Sequence, residues 1–162
     1  MGIANGINVE CLDRTTKRLY SHGMHKITEQ LFVGNVYDAV QPPSQIGALL
    51  FLAGEYDIEL PGGIEAHRIP FKEFGEANAQ LLADAVEWVE RHVEDNRVMV
   101  CCRAGMGRSV SVVMAYLCCV EQMAYNDVVK LIMTRRPGAM PLPNLEDTIN
   151  AVQRLRKDKQ QS

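Results

Sequence analysis

At 162 residues, with 47% hydrophobic and 23% charged side chains, the chain has the length and composition of one globular domain with its own core, which excludes a disordered or fibrous protein. A formal net charge of -3 and the lack of a long basic block exclude a surface that tracks nucleic acid, so any preference for anions has to come from a local site. The longest apolar run, Val110 to Val120, is too short and too interrupted to cross a bilayer, so no stable membrane insertion is expected.

Residues 1–23 carry little periodicity and read as an N-terminal extension. Gly6 stands where a myristoylation signal wants Ser or Thr, so no lipid anchor is expected there. The segment Leu31-Phe32-Val33-Gly34 reads as a first strand, and Pro42-Pro43 stop whatever helix begins after Asn35. Ala48 to Ala53 forms a short apolar run, the pattern of a strand buried on both faces. A third strand is predicted at Ile64 to Ile69, after the Pro61-Gly62-Gly63 turn. From Asn78 to Glu94, Leu82, Val86, Val89 and Val93 recur at helical spacing with Glu87, Glu90 and Arg91 left for solvent, which predicts an amphipathic helix. Arg97 to Cys101 is compact and apolar and predicts a central parallel strand. Arg108 to Val120 is apolar nearly all round, as an interior helix would be. Asn126 is the predicted cap of a helix reaching about Arg135 and stopped by Pro137-Gly138. A last amphipathic helix uses Leu145, Ile149, Val152 and Leu155, ahead of a polar tail over 158–162. Strands alternating with helices around buried runs predict an α/β fold: a central, mainly parallel twisted sheet flanked by helices.

The five cysteines are an odd count, and four stand as the adjacent pairs Cys101-Cys102 and Cys118-Cys119, unlike any secreted disulfide framework. Free thiols in a reducing compartment follow, and a cytoplasmic location is expected. Neither Cys-x-x-Cys nor Cys/His zinc spacing occurs, so no metal is expected.

Chemistry concentrates between the Arg97–Cys101 strand and the helix from Arg108. Strand, glycine-containing loop and helix N-terminus together aim backbone N–H groups and the positive end of a helix at one point, which suits an oxyanion. The loop is Cys102-Arg103-Ala104-Gly105-Met106-Gly107-Arg108-Ser109, and its two glycines permit the twist that turns those N–H groups inward. A cysteine at the mouth of such a site is favoured as thiolate, which makes Cys102 the nucleophile. The planar guanidinium of Arg108 can hold two phosphate oxygens and stabilise the transition state. Residues 103–108 are then the expected phosphate-binding set.

This Cys-x5-Arg loop followed by Ser109 resembles the signature of the dual-specificity branch of the cysteine-dependent protein tyrosine phosphatase superfamily. Leu31-Phe32-Val33-Gly34-Asn35 is similar to the family's opening strand and turn, Ile69-Pro70 to the segment leading into its acid loop, and Arg136-Pro137-Gly138 to its late helix end. The resemblance covers about Lys26 to Arg156 and implies one catalytic domain over 24–157. A loop in mid-chain distinguishes it from the low-molecular-weight phosphatases and arsenate reductases. The resemblance implies a phosphomonoester hydrolase that forms a cysteinyl phosphate on Cys102, with Ser109 helping the thiolate to leave and no cofactor. Its substrates would be phosphoproteins, carrying phosphotyrosine and also phosphoserine or phosphothreonine. The family's acid is an aspartate, and here the matching position falls on or near Glu73, with Glu76, Asp57 or no dedicated acid as the other readings. Most members carry histidine immediately before the nucleophile, ordering the loop, where this chain has Cys101. That departure keeps open a pseudophosphatase that binds phosphorylated partners, and Arg103, the one added base in the loop, keeps open a phosphoinositide or phospholipid phosphatase. Cys101 is read chiefly as a packed strand residue, with a vicinal disulfide to Cys102 as the other reading. The pair Arg135-Arg136 reads as a helix C-terminal cap, with docking of anionic substrates as the lesser alternative.

Overall fold

The structure, a computed structural model, describes residues 23–161. The expected extension therefore lies outside the described residues except for Gly23. The elements in order are β1 (His25–Lys26), β2 (Leu31–Gly34), α1 (Val36–Val40), β3 (Ala48–Ala53), β4 (Glu65–Phe71), α2 (Ala79–Val93), β5 (Val98–Cys101), α3 (Arg108–Cys119), α4 (Tyr125–Arg135) and α5 (Leu145–Gln160). They build one sheet in the order β1-β2-β5-β3-β4, in which β2, β5, β3 and β4 run parallel and β1 joins the edge antiparallel to β2.

The three inner strands are buried on both faces, so their alternation distributes side chains between two cores. Leu31, Val33, Leu50, Leu52, Val98 and Val100 point toward the layer made by α2 to α5. Phe32, Leu49, Phe51, Met99 and Cys101 point the other way, onto α1 and the Tyr56–Ile58 segment. Helix α3 is the hub of the larger core and is buried along almost its whole length, as its all-round apolar sequence predicts.

Local chemistry accounts for the element ends. The Asn35 side chain accepts hydrogen bonds from the Tyr37 and Asp38 amides, while the Asp38 carboxylate accepts from the Asn35 amide, a reciprocal cap that starts α1. The Asn78 side chain accepts from the Leu81 amide and starts α2. Pro70 is tolerated inside β4 because that strand forms the outer edge of the sheet.

The structure corrects three boundaries. The predicted cap at Asn126 belongs instead to Ala124, because the amides of Asp127 and Val128 already bond the Ala124 carbonyl and the helix begins earlier. Strand β4 runs on to Phe71, opposite Ala53, past a register shift. The tail predicted at 158–162 is helical through Gln160, since Lys159 reaches back to the Glu87 carboxylate on α2 and holds the last turn in place.

Candidate active site

Residues 102–107 connect the end of β5 to the first turn of α3, at the carboxyl end of the parallel strands where open α/β sheets present their sites. The carbonyls of residues 103–107 all accept hydrogen bonds from the surrounding structure. Arg103 O accepts from the Val36 amide at 3.1 Å, and Met106 O accepts from the Met140 amide at 2.8 Å. Ala104 O and Gly105 O accept from the Arg136 guanidinium at 3.4 and 3.0 Å. Gly107 O accepts from the amide and hydroxyl of Ser111 at 2.9 and 2.7 Å. All peptide bonds here are trans, so a carbonyl held outward turns the following N–H the opposite way. The amides of residues 104–108 therefore face the front of the loop. Gly105 makes the bend possible: its φ is +68°, and a Cβ there would sit 2.8 Å from the Gly34 carbonyl oxygen.

Cys102 Sγ lies 3.3 Å from Ser109 Oγ in a buried hydrogen bond. The thiol donates to the hydroxyl as drawn, and a thiolate would accept from it. Arg108, only 3% exposed, extends to Glu55 just past the end of β3. Its Nη1 and Nη2 donate to the two Glu55 carboxylate oxygens at 2.8 and 2.6 Å, and Nη1 also donates to Phe71 O at 3.2 Å. Three of five guanidinium N–H groups are thereby used, and Nε–H with the second Nη2–H remains as the side-on fork suited to two oxygens of one anion. Burial pushes the Glu55 carboxyl up, but the hydrogen bond and charge of Arg108 outweigh it and leave Glu55 below its ordinary value. Sequence reasoning did not single out Glu55. The signal available was its place two residues beyond the end of β3, beside the strand that delivers Cys102.

A cleft of about 530 Å³ opens in front of the loop. Glu73 lines it together with Cys102, Arg103 and Arg108, while Phe74, Met106, Met140 and Leu142 supply apolar wall. The Glu73 carboxylate is held at the loop by Arg103 Nη1 at 2.7 Å. Glu76 and Asp57 are exposed and do not line this cleft. A Cβ on Gly105 would point at the Gly34 carbonyl, so this residue shapes the loop and has only its backbone amide to offer an anion.

Cys101 is fully buried on the opposite side of the sheet from Cys102, packed with Met99 against Gly34. Burial pushes its thiol well above the ordinary value. The alternation of β5 thus directs the neighbouring thiols to different cores and places Cys101 as a packing residue. Cys118 is buried and Cys119 partly buried, and burial pushes both thiols up to about 11.

The structure is an α/β protein with a cysteine, Cys102, at the end of a parallel strand and a buried arginine, Arg108, at the head of the following helix. The chain belongs to the dual specificity phosphatase family: the profile described as "Dual specificity phosphatase, catalytic domain" matches residues 31–155. Among curated proteins, it is 22% identical over 120 residues to the protein tyrosine phosphatase domain-containing protein 1 of Bos taurus. It is also 31% identical over 62 residues to the MAP kinase phosphatase with leucine-rich repeats protein 3 of Dictyostelium discoideum. These matches cover 74% and 38% of this chain but span only 15% and 7% of those longer proteins. Among solved structures, DUSP15 superposes with a TM-score of 0.73 at 24% identity, covering 86% of this chain and 97% of that one. That likeness shows the fold.

Proposed function

We propose that the chain hydrolyses phosphomonoesters on protein side chains through a cysteinyl-phosphate intermediate. What supports this reading is one cleft lined by Cys102, Arg103, Arg108 and Glu73, with Ser109 hydrogen-bonded to Cys102 and the Arg108 guanidinium aimed by Glu55. In the proposed reaction the Cys102 thiolate attacks phosphorus in line with the ester oxygen, an S–P bond forms and the P–O bond breaks. Arg108 Nε–H and Nη2–H hold two equatorial oxygens as the charge redistributes. Glu73, the carboxyl that stands in the cleft, gives its proton to the departing oxygen and then takes one from the water that attacks the intermediate. That second attack breaks the S–P bond, and the Ser109 hydroxyl donates to the thiolate as it leaves. The nucleophile, the cation and the acid are all side chains, so no cofactor is invoked.

The cleft wall bears on substrate. Phe74 and Met140 are 80% and 68% exposed at its rim, and Met106 and Leu142 lie within it. An apolar wall fits the side chain of a phosphorylated residue, above all an aromatic ring, better than the polyanionic headgroup of a phosphoinositide.

The test is hydrolysis of an aryl phosphate across pH with EDTA present, comparing the native chain with Cys102→Ser and Glu73→Gln. Turnover that survives EDTA and disappears in Cys102→Ser is the expected result, with Glu73→Gln losing the basic limb of the pH profile. Absence of turnover at every pH, with phosphate analogues still bound, would replace the enzyme with a phosphate-recognition module.

A further inference from the structure

Five consecutive carbonyls, from Arg103 to Gly107, must be held outward for the loop to offer its amides to an anion. Four bonding groups do this work: the Val36 amide, the Met140 amide, Ser111 and Arg136. Arg136 alone is a single side chain holding two adjacent carbonyls, Ala104 O and Gly105 O. The peptide units it holds are those on either side of Gly105. With a glycine at the junction and φ already at +68°, these are the units with the lowest steric resistance to rotation.

The brace itself is firmly rooted. Arg136 caps α4, its amide donates to Ile132 O at 2.8 Å, and its carbonyl accepts from the Ala139 amide at 3.0 Å. Its remaining Nη1 donates to Pro137 O at 2.6 Å. Burial pulls the guanidinium below the ordinary arginine value. Arg135, by contrast, is exposed and has no bond to the loop among those described. The pair therefore divides: Arg135 faces solvent and Arg136 faces the loop.

We infer that Arg136 is a positioning residue that locks the Gly105 and Met106 amides into the anion-binding orientation. It thereby orders the loop in a chain whose residue before the nucleophile is Cys101, a small thiol packed with Met99 against Gly34. The inference rests on the phosphate-loop reading of Cys102 and Arg108 and deepens it. Arg136 does not touch the substrate in this scheme. Its fork meets the two carbonyls with two separate nitrogens, Nε and Nη2, in one rigid plane, whereas a lysine would have to serve both from a single nitrogen on a flexible stem.

The test compares the native chain with Arg136→Ala and Arg136→Lys, measuring inhibition by orthovanadate and kcat/KM on an aryl phosphate alongside thermal melting. Both variants should bind vanadate about 10- to 100-fold more weakly, less than the ~100- to 1,000-fold cost of removing a donor that contacts an oxyanion directly. Methylguanidine added to Arg136→Ala should restore part of the affinity. In spectra of the 15N-labelled chain, vanadate should shift the Gly105 and Met106 amides of the native protein and leave them unmoved in Arg136→Ala. The Lys variant keeps the stem and the charge, so it provides the comparison if Arg136→Ala does not fold. Native vanadate affinity in either variant, or a loss confined to melting temperature, would overturn the assignment. A native chain that neither binds vanadate nor turns over would instead remove the phosphate-loop reading itself, and the inference with it.

Discussion

Replacing Glu55 with glutamine isolates the contact that aims Arg108. The change preserves shape but puts an amide NH2 against one guanidinium nitrogen, so one of the two charge-assisted bonds at 2.8 and 2.6 Å is lost. A hydrogen bond to a charged group is worth about 1.5–3 kcal/mol, and breaking a fully buried ion pair costs about 3–5 kcal/mol. Arg108 is 3% exposed but Glu55 is 27% exposed, so water partly replaces the missing acceptor and the lower range, about 1.5–3 kcal/mol, applies. Because the Glu55 fork is what leaves the Nε–Nη2 edge open, its loss should also lower kcat/KM by about 10- to 100-fold, equivalent to ~1.4–2.8 kcal/mol of transition-state stabilisation. Glu55 is held below its ordinary value when folded, so its contribution to stability is complete above the unfolded value and is lost as pH falls through the folded one. Urea unfolding of both proteins should therefore show a gap that is full at pH 7 and closes below about pH 4. A gap of constant size across that range, or an unchanged kcat/KM, would refute the proposed coupling.

Gly105→Ala should destabilise the chain by about 1–2 kcal/mol from the left-handed backbone alone, and more from the contact with the Gly34 carbonyl, with vanadate affinity falling in step; calorimetry and inhibition read the two effects. Phe74→Ser combined with Met140→Ser should lower kcat/KM for an aryl phosphate by about tenfold, with a smaller change for an alkyl phosphate, because the lost apolar contact is with the leaving group. Native-state alkylation at pH 8, read by mass spectrometry, should leave Cys101, Cys118 and Cys119 unmodified, since burial holds all three thiols protonated. After unfolding in urea all three should label.

The sequence was most legible where one physical rule acted alone. Ala48 to Ala53 is a strand from end to end: the unbroken apolar run is too short for an interior helix and is bounded by Gly47 and Gly54, which suits a strand covered on both faces. The position of the loop from Cys102 to Arg108 was legible because its glycines interrupt two apolar runs, one strand-like and one helical, and the structure has it between β5 and α3. The two-residue strand β1 carries too little pattern to be read, and it exists because β2 offers it a free edge. Glu55 and Arg136 were illegible as site residues for another reason. Each lies more than twenty positions from the loop residue it bonds, and only the parallel pairing of β3 with β5 and the return of the chain after α4 bring them there. Which of Glu73, Glu76 and Asp57 lies beside the loop is likewise a distance in space and not in sequence, and Glu73 is the one that meets Arg103.

The opposite facing of Cys101 and Cys102 makes strand register a functional coordinate. A slip of β5 by one residue would exchange the two thiols, burying the proposed nucleophile Cys102 on Met99's side of the sheet and offering the cleft Cys101 instead. Such a slip is opposed twice over, because β5 is bonded to β2 on one edge and to β3 on the other, with Val98 opposite both Leu31 and Ala48. Two independent ladders must break before the address of the reactive sulfur can change. An insertion or deletion within residues 98–101 should thus silence the protein more thoroughly than a larger loop insertion elsewhere, even where the altered strand still pairs.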